Sequence, residues 1–119
     1  MIRERFTPVK GYEDLYEISN HGRIKTLNPK CYGRIMKPDI DRDKYYVIRL
    51  VKFGVGKKFA VHRLVYEHFN GPLLPNQLIH HIDENKLNNF ANNLVQMTVA
   101  EHRVLHNKGA VSPIHIVSH

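Results

Sequence analysis

The hydrophobic period of this chain changes at Val61, and that switch constrains the fold more than any other feature of the sequence. Before it, apolar residues alternate. Arg23-Ile24-Lys25-Thr26-Leu27 interleaves basic and apolar side chains, and Tyr46, Ile48 and Leu50 alternate with Val47, Arg49 and Val51, the period of half-buried strands. After it, Val61, Leu64, Val65, His68 and Phe69 recur at spacings of three and four, the helical period. Ser19-Asn20-His21-Gly22 and Gly54-Val55-Gly56 read as turns, Lys57 to Val61 as a returning strand, and Asn70-Gly71-Pro72 as the stop of the helix.

The later part of the chain repeats the exchange on a smaller scale. Leu78-Ile79 begins a short strand that runs into His80-His81, and Leu94 to Met97 forms a second one. Between them the loop from Asp83 to Asn92 holds five asparagine or aspartate residues and no long apolar run. Thr98-Val99-Ala100-Glu101 is a capping box, in which the Thr hydroxyl accepts from the third helical amide and the Glu reaches back to the Thr amide. The helix it opens is expected over Val99–Asn107 and closes near Gly109, with a loose tail from Ser112 to His119. The expected class is α+β: a small N-terminal antiparallel sheet, a helix, then a strand–loop–strand–helix unit.

Charge divides at the same place. Residues 1–60 carry 14 Lys and Arg against 7 Asp and Glu, whereas residues 61–119 carry 4 against 4. The whole formal charge of +7 therefore lies in the first half. Bases gathered in this way point to a polyanion, because each Lys or Arg placed on a phosphate releases a condensed counterion. With 119 residues, 42% of them apolar and 24% charged, the chain fits one soluble globular unit. No stretch approaches the ~18 apolar residues of a membrane span. Arg3, Glu4 and Arg5 stand where a signal peptide would need its apolar core. Cys31 is the one cysteine, so neither an internal disulfide nor a cysteine-ligated zinc knuckle is available, and an intracellular, cytoplasmic setting is expected.

Nine histidines raise the question of convergence. His102 and His106 are four apart on the capping-box helix and so project from one face, as a two-histidine metal site requires. His80 and His81 are neighbours at the end of a strand and point to opposite sides. One of that pair can complete a three-histidine site while the other faces a substrate. Three neutral imidazoles hold a divalent ion without cancelling its charge, and a fourth, free of metal, suits a general base near neutral pH. Asn93, just before the second strand, is placed to hydrogen-bond across the loop and orient that base. His62 and His68, on the first helix, are expected to pack or hydrogen-bond, and His21 sits in a turn where phosphate contact is conceivable. His115 and His119 fall in the tail. Core packing is expected of Tyr45, Tyr46 and Phe53 over stacking on bases.

These residues resemble a family. Val61-His62-Arg63-Leu64-Val65, His80-His81-Ile82-Asp83, Asn85-Lys86-Leu87-Asn88-Asn89, Asn93-Leu94 and Thr98 through His106 are similar to HNH endonucleases of the ββα-metal (His-Me finger) fold, of the kind found in phage and homing enzymes. Gly11-Tyr12, Leu15 to Asn20 and Gly22-Arg23-Ile24-Lys25 resemble the NUMOD4 module that precedes such domains. The resemblance implies three regions: a basic DNA-binding part over 1–60, a nuclease part over 61–108, and a tail over 109–119. It implies His80 as the first metal ligand, His81 as the general base, Asn93 as the central asparagine that orients the base and braces the loop, His102 as the last histidine ligand and His106 as the extra one. Glu84 departs from the pattern, since relatives often have Gly there.

The activity so implied is metal-dependent hydrolysis of DNA phosphodiester bonds, one strand per active site, by a monomer or homodimer encoded by a phage or mobile element. Arg23, Lys25, Arg34, Lys37, Arg49, Lys57, Lys58 and Arg63 are the candidate contacts to duplex backbone. Imidazole ligands suit Zn²⁺, Ni²⁺ or Mn²⁺, and Mg²⁺ stays open because the phosphate brings its own oxygens. Two rival readings share much of this chemistry: a non-catalytic DNA-binding protein with a structural zinc, and a metal-dependent RNase.

Overall fold

The computed structural model describes residues 3–107, with backbone only at His106 and Asn107. The helix end expected near Gly109, the tail from Ser112 and the tail histidines His115 and His119 lie outside the described residues. Where the sequence implied one small N-terminal sheet, two are present. The first joins β1 (Phe6–Pro8), β2 (Tyr16–Ser19) and β3 (Ile24–Thr26). The second joins β4 (Asp39–Ile40), β5 (Tyr46–Lys52) and β6 (Val55–Ala60). Both are antiparallel throughout. The edge strands β1 and β4 are three and two residues long, too short to print a period on the sequence.

In β5 the alternation works as read: Ile48 and Leu50 are buried while Arg49 and Val51 are exposed. Arg49 pairs with Lys58 across the β5–β6 register, so both point away from the core. The connecting turn comes one residue earlier than expected. Phe53 and Gly54 both take positive φ, 52° and 77°, as a two-residue hairpin turn with the twist of its strands demands. Phe53 therefore sits at the tip, 92% exposed, and not in the core where its character placed it.

The helix begins at Val61 as expected but changes pitch. Helix α1 covers Val61–Val65 and runs into a π-helical turn over Tyr66–Asn70, closed by the Gly71 amide on the Tyr66 carbonyl at 3.1 Å. A hairpin of β7 (Gln77–His81) and β8 (Leu94–Thr98) follows, then α2 (Val99–Asn107). The capping box is formed in both directions. Glu101 N donates to Thr98 Oγ1 at 3.0 Å and Thr98 N donates to Glu101 Oε1 at 2.8 Å, so the start of α2 is fixed directly against the end of β8.

One hydrophobic core holds these pieces. Val9, Tyr16, Ile18 and Ile24 enter it from the first sheet and its flank, Ile48 and Leu50 from the second. Val61, Leu64, Val65 and Tyr66 come from the helix, and Ile79 and Leu94 from the β7–β8 hairpin. Helix α1 packs on β2, β5 and β6, so the boundary read at 60/61 falls inside the core. No helix among the described residues is long and apolar enough to cross a membrane.

Candidate active site

The end of β7, the loop after it and the start of α2 enclose a cleft of about 200 Å³ lined by Tyr45, His80, His81, Glu84, Lys86 and His102 among others. Successive strand residues diverge, as the pleat requires. His80 turns toward α2, its ring centre 5.4 Å from that of His102 in a near-perpendicular arrangement. His81 turns the other way, toward α1, with its ring 5.4 Å from His62 and 5.9 Å from Tyr45. Both are buried, at 5% and 4% exposure. The strand–helix junction thus puts two imidazoles face to edge and leaves the third separate from them.

Two imidazoles sharing one tetrahedral ion at metal–nitrogen distances near 2.1 Å hold their ring centres roughly 5 Å apart. The His80–His102 spacing of 5.4 Å fits that demand. Among the described residues no three potential metal-ligating side chains converge. The third sequence candidate, His106, is one helical turn beyond His102 on α2, and its side chain lies outside the described residues.

Asn93 does not reach His81. Its amide nitrogen donates to Asp83 Oδ1 at 3.0 Å and to the Asn88 carbonyl at 2.8 Å, and its side-chain oxygen accepts from the Asp83 amide at 3.1 Å. Asp83 in turn accepts from Asn85 N at 2.9 Å and Asn88 Nδ2 at 2.8 Å. Desolvation opposes ionisation of Asp83, but these hydrogen bonds from Asn88, Asn85 and Asn93 outweigh it and hold the carboxyl below the usual range. Asparagines in this loop therefore replace the apolar packing that it lacks.

The partner of His81 is Asn89, whose buried side-chain oxygen lies 2.8 Å from His81 Nε2. An amide oxygen only accepts, so the imidazole carries its proton on Nε2 and presents a bare Nδ1. Burial pushes the His81 pKa below the usual value, with Lys86 adding to the depression and Asn89 and Asp83 opposing it. In the sequence Asn89 falls within the family-like run Asn85–Asn89, and nothing there marks it as the partner of His81. The pairing spans eight residues of irregular loop, and no period points to it. Tyr45, expected in the core, instead borders the cleft with the Lys86 ammonium 4.9 Å from its ring centre. Glu84, the departure from the family pattern, also lines the cleft, in the left-handed region at φ 61°. A glycine there is free of that strain.

Other expectations sort cleanly. His68 hydrogen-bonds as expected, through Nδ1 to the Leu64 carbonyl at 2.7 Å and through Nε2 from the Lys10 amide at 2.9 Å. His62 packs between Tyr45 and His81, and burial foremost lowers its pKa to about 4. His21 stacks on Phe90. Of the candidate DNA contacts, Arg34, Lys37, Arg49, Lys57, Lys58 and Arg63 are exposed. Arg63 also borders a second groove beside Tyr45, His62 and His102. Arg23 is held by both oxygens of Glu4, at 2.8 and 2.6 Å. Lys25 lies 3.3 Å from Glu17 and 4.1 Å above the Phe6 ring.

Comparison with known proteins gives a consistent outcome. Residues 4–51 match the NUMOD4 motif and residues 59–104 match the HNH endonuclease family. The chain is 40% identical over 90 residues to DNA endonuclease I-HmuI of Bacillus phage SP01, covering 76% of this chain and 50% of that protein. It is 43% identical over 94 residues to the uncharacterized HNH endonuclease L245 of Acanthamoeba polyphaga mimivirus, covering 78% of this chain and 27% of that one. The chain thus spans half or less of the curated relatives it matches. Its fold is similar to a solved structure of DNA binding and cleavage by the HNH homing endonuclease I-HmuI, with a TM-score of 0.76 and 34% identity over 96% of this chain and 66% of that one.

Proposed function

The chain belongs to the HNH endonuclease family and carries a NUMOD4 motif ahead of its nuclease region, and on that premise we propose that it is a metal-dependent endonuclease that nicks duplex DNA. The observation that carries the reading is the divergence of two adjacent histidines. His80 faces His102 at metal-sharing distance, while the pleat of β7 turns His81 away from them and onto Asn89. A site of structural metal alone has no use for the second arrangement.

The chain's own residues then divide the work. The exposed bases of the first half, Arg34, Lys37, Arg49, Lys57 and Lys58, take the duplex backbone, with Arg23 and Lys25 joining them where a phosphate displaces Glu4 or Glu17. Arg63 holds a phosphate beside the cleft. Asn89 fixes the His81 tautomer, so that Nδ1 accepts a proton from water as its oxygen attacks phosphorus. The new phosphorus–oxygen bond forms in line with the one that breaks, and the leaving 3′-oxygen takes up a proton from solvent. Asn93 keeps the loop, and with it Asn89, in place. A divalent ion held by His80, His102 and His106 would supply the positive charge that offsets the charge growing on the phosphate. Nitrogen ligands suit Zn²⁺, Ni²⁺ or Mn²⁺, and Mg²⁺ would lean on phosphate oxygens. One such site cuts one strand, so a monomer nicks and a double-strand break takes two events. We place this action on DNA inside a cell, within the life of a phage or mobile element.

The test is a supercoiled-plasmid assay on wild type and His81→Ala, with EDTA and with Mg²⁺, Mn²⁺, Ni²⁺ or Zn²⁺. The expected result is metal-dependent conversion to open circles by wild type alone, while both proteins retard the plasmid in a gel. Retardation without cutting by either protein would overturn the reading in favour of a binding module.

A further inference from the structure

The turn between β2 and β3 belongs to the first half of the chain, yet it is built against the loop that carries Asn89. Its own frame is closed. Ser19 Oγ accepts from the His21 and Arg23 amides, each at 3.1 Å, and Gly22 N donates to the Ser19 carbonyl at 3.0 Å. Asn20 is buried and ties the turn to the N-terminal segment, accepting from Arg5 N at 2.7 Å and donating to the Arg3 carbonyl at 3.1 Å.

From this frame three consecutive residues meet three consecutive loop residues in reverse order. The Asn20 carbonyl accepts from Ala91 N at 2.8 Å. The His21 ring lies 4.2 Å from Phe90, the planes 14° apart. Gly22 faces Asn89 with no room between them: a Cβ on Gly22 would stand 2.9 Å from the Asn89 Cβ and 3.2 Å from its carbonyl oxygen. Those atoms are backbone or next to it, so no side-chain rotation relieves the contact, and either Asn89 or the turn must shift as a unit.

We propose that residues 20–22 are positioning residues for the general base, setting Asn89 and, through Asn89, the His81 imidazole. The proposal rests on the reading of His81 as that base. The binding module would then do more than hold DNA: its turn presses on the Cβ and carbonyl of the residue whose side-chain oxygen fixes the His81 tautomer. Gly22 is required twice, by its φ of +88° and by the contact with Asn89. Gly11 separates these demands, since its φ is +85° but nothing lies within 4 Å of a Cβ there.

The experiment compares Gly22→Ala with Gly11→Ala, each alone and in an Asn89→Ala background. Nicking is followed at saturating and limiting DNA, and the His81 ring signals are read by NMR in DNA-free protein labelled at histidine. Gly22→Ala should slow nicking at saturating DNA by about tenfold or more while KM stays within about twofold, because the loss is in aiming the base and not in binding. The His81 ring signals should move, Gly11→Ala should change neither readout, and Gly22→Ala should cost nothing further once Asn89 is Ala. His21→Ala, which adds no backbone strain, should shift the same signals and slow nicking by a smaller factor; it decides the matter if Gly22→Ala fails to fold. Equal effects of Gly22→Ala and Gly11→Ala, or an undiminished loss in the Asn89→Ala background, would overturn the proposal. Absence of nicking by wild type with every metal would remove the reading of His81 as base, and the ring signals would still report whether the turn sets that ring.

Discussion

His81 Nε2 and Asn89 Oδ1 form a 2.8 Å hydrogen bond between two buried side chains eight residues apart. This bond decides which ring nitrogen is basic. Asn89→Ala frees the ring to rotate and to adopt the other tautomer. The expected outcome is a loss of roughly ten- to a hundredfold in nicking rate with DNA affinity retained, since general-base catalysis contributes about 10²–10⁴ in all and part of it survives misorientation. Single-turnover rates alongside gel retardation check it.

Asn93 does a different job, and its substitution should read differently. Asn93→Ala deletes three hydrogen bonds that pin Asp83 and Asn88. At about 1 kcal/mol per bond the loss is on the order of 2–3 kcal/mol of stability. Urea unfolding should show that loss, with nicking falling as the loop loosens. An Asn93→Ala protein as stable as wild type would contradict the bracing role.

Glu84→Gly should be a gain. The backbone there is left-handed, at φ 61°, a conformation that costs a non-glycine residue about 1–2 kcal/mol. Part of that relief returns as greater freedom of the unfolded chain, which leaves a net of roughly 0.5–1 kcal/mol in favour of the variant. The change also removes a carboxylate from the cleft wall, so DNA affinity should rise, most clearly at low salt. Thermal unfolding and retardation at two salt concentrations test both halves.

His62 gives the fold a pH dependence of definite sign. Burial first, then the charges of His81 and Arg63, lower its pKa from 6.5 to about 4, against a pull from Asp41. Between those values the unfolded chain binds the proton that the folded chain refuses, so stability rises with pH through that window. The contribution is complete above about pH 6.5 and lost as the pH falls to about 4, amounting to on the order of 2–3 kcal/mol. Its buried Nδ1 has no hydrogen-bond partner among the described residues, so His62→Phe keeps the packing and removes the titration. Melting temperatures from pH 4 to 7 should fall less steeply toward acid in His62→Phe than in wild type.

Local signals were the legible part of this fold. The alternation over Tyr46–Val51, the helical spacing from Val61 and the capping box at Thr98 each involve residues a few positions apart, and each appears where it was read. The strand pair that ends in His81 and restarts at Leu94 was equally plain. What escaped depends on distance or on a cost that sequence does not display. Two strands of two and three residues carry no period. The π-helical turn widens a ring of hydrogen bonds without changing which residues are apolar. Phe53 looks like core, yet a two-residue hairpin turn puts it outside. In the site, the spacing placed His80, His81 and His102 along the chain, but the bond from His81 to Asn89 and the docking of residues 20–22 on 89–91 are contacts between irregular segments.

The shared core bears on how such proteins can be rebuilt. A cut at 60/61 would strip Val61, Leu64 and Val65 from one fragment and Ile18, Ile24, Ile48 and Leu50 from the other, exposing on each the surface meant for its counterpart. The joint that the sequence advertises is therefore a poor seam for grafting. A chimera that moves the nuclease part to a new DNA-reading element must either bring both small sheets with it or supply their apolar faces anew, and an intact chain should melt in a single transition.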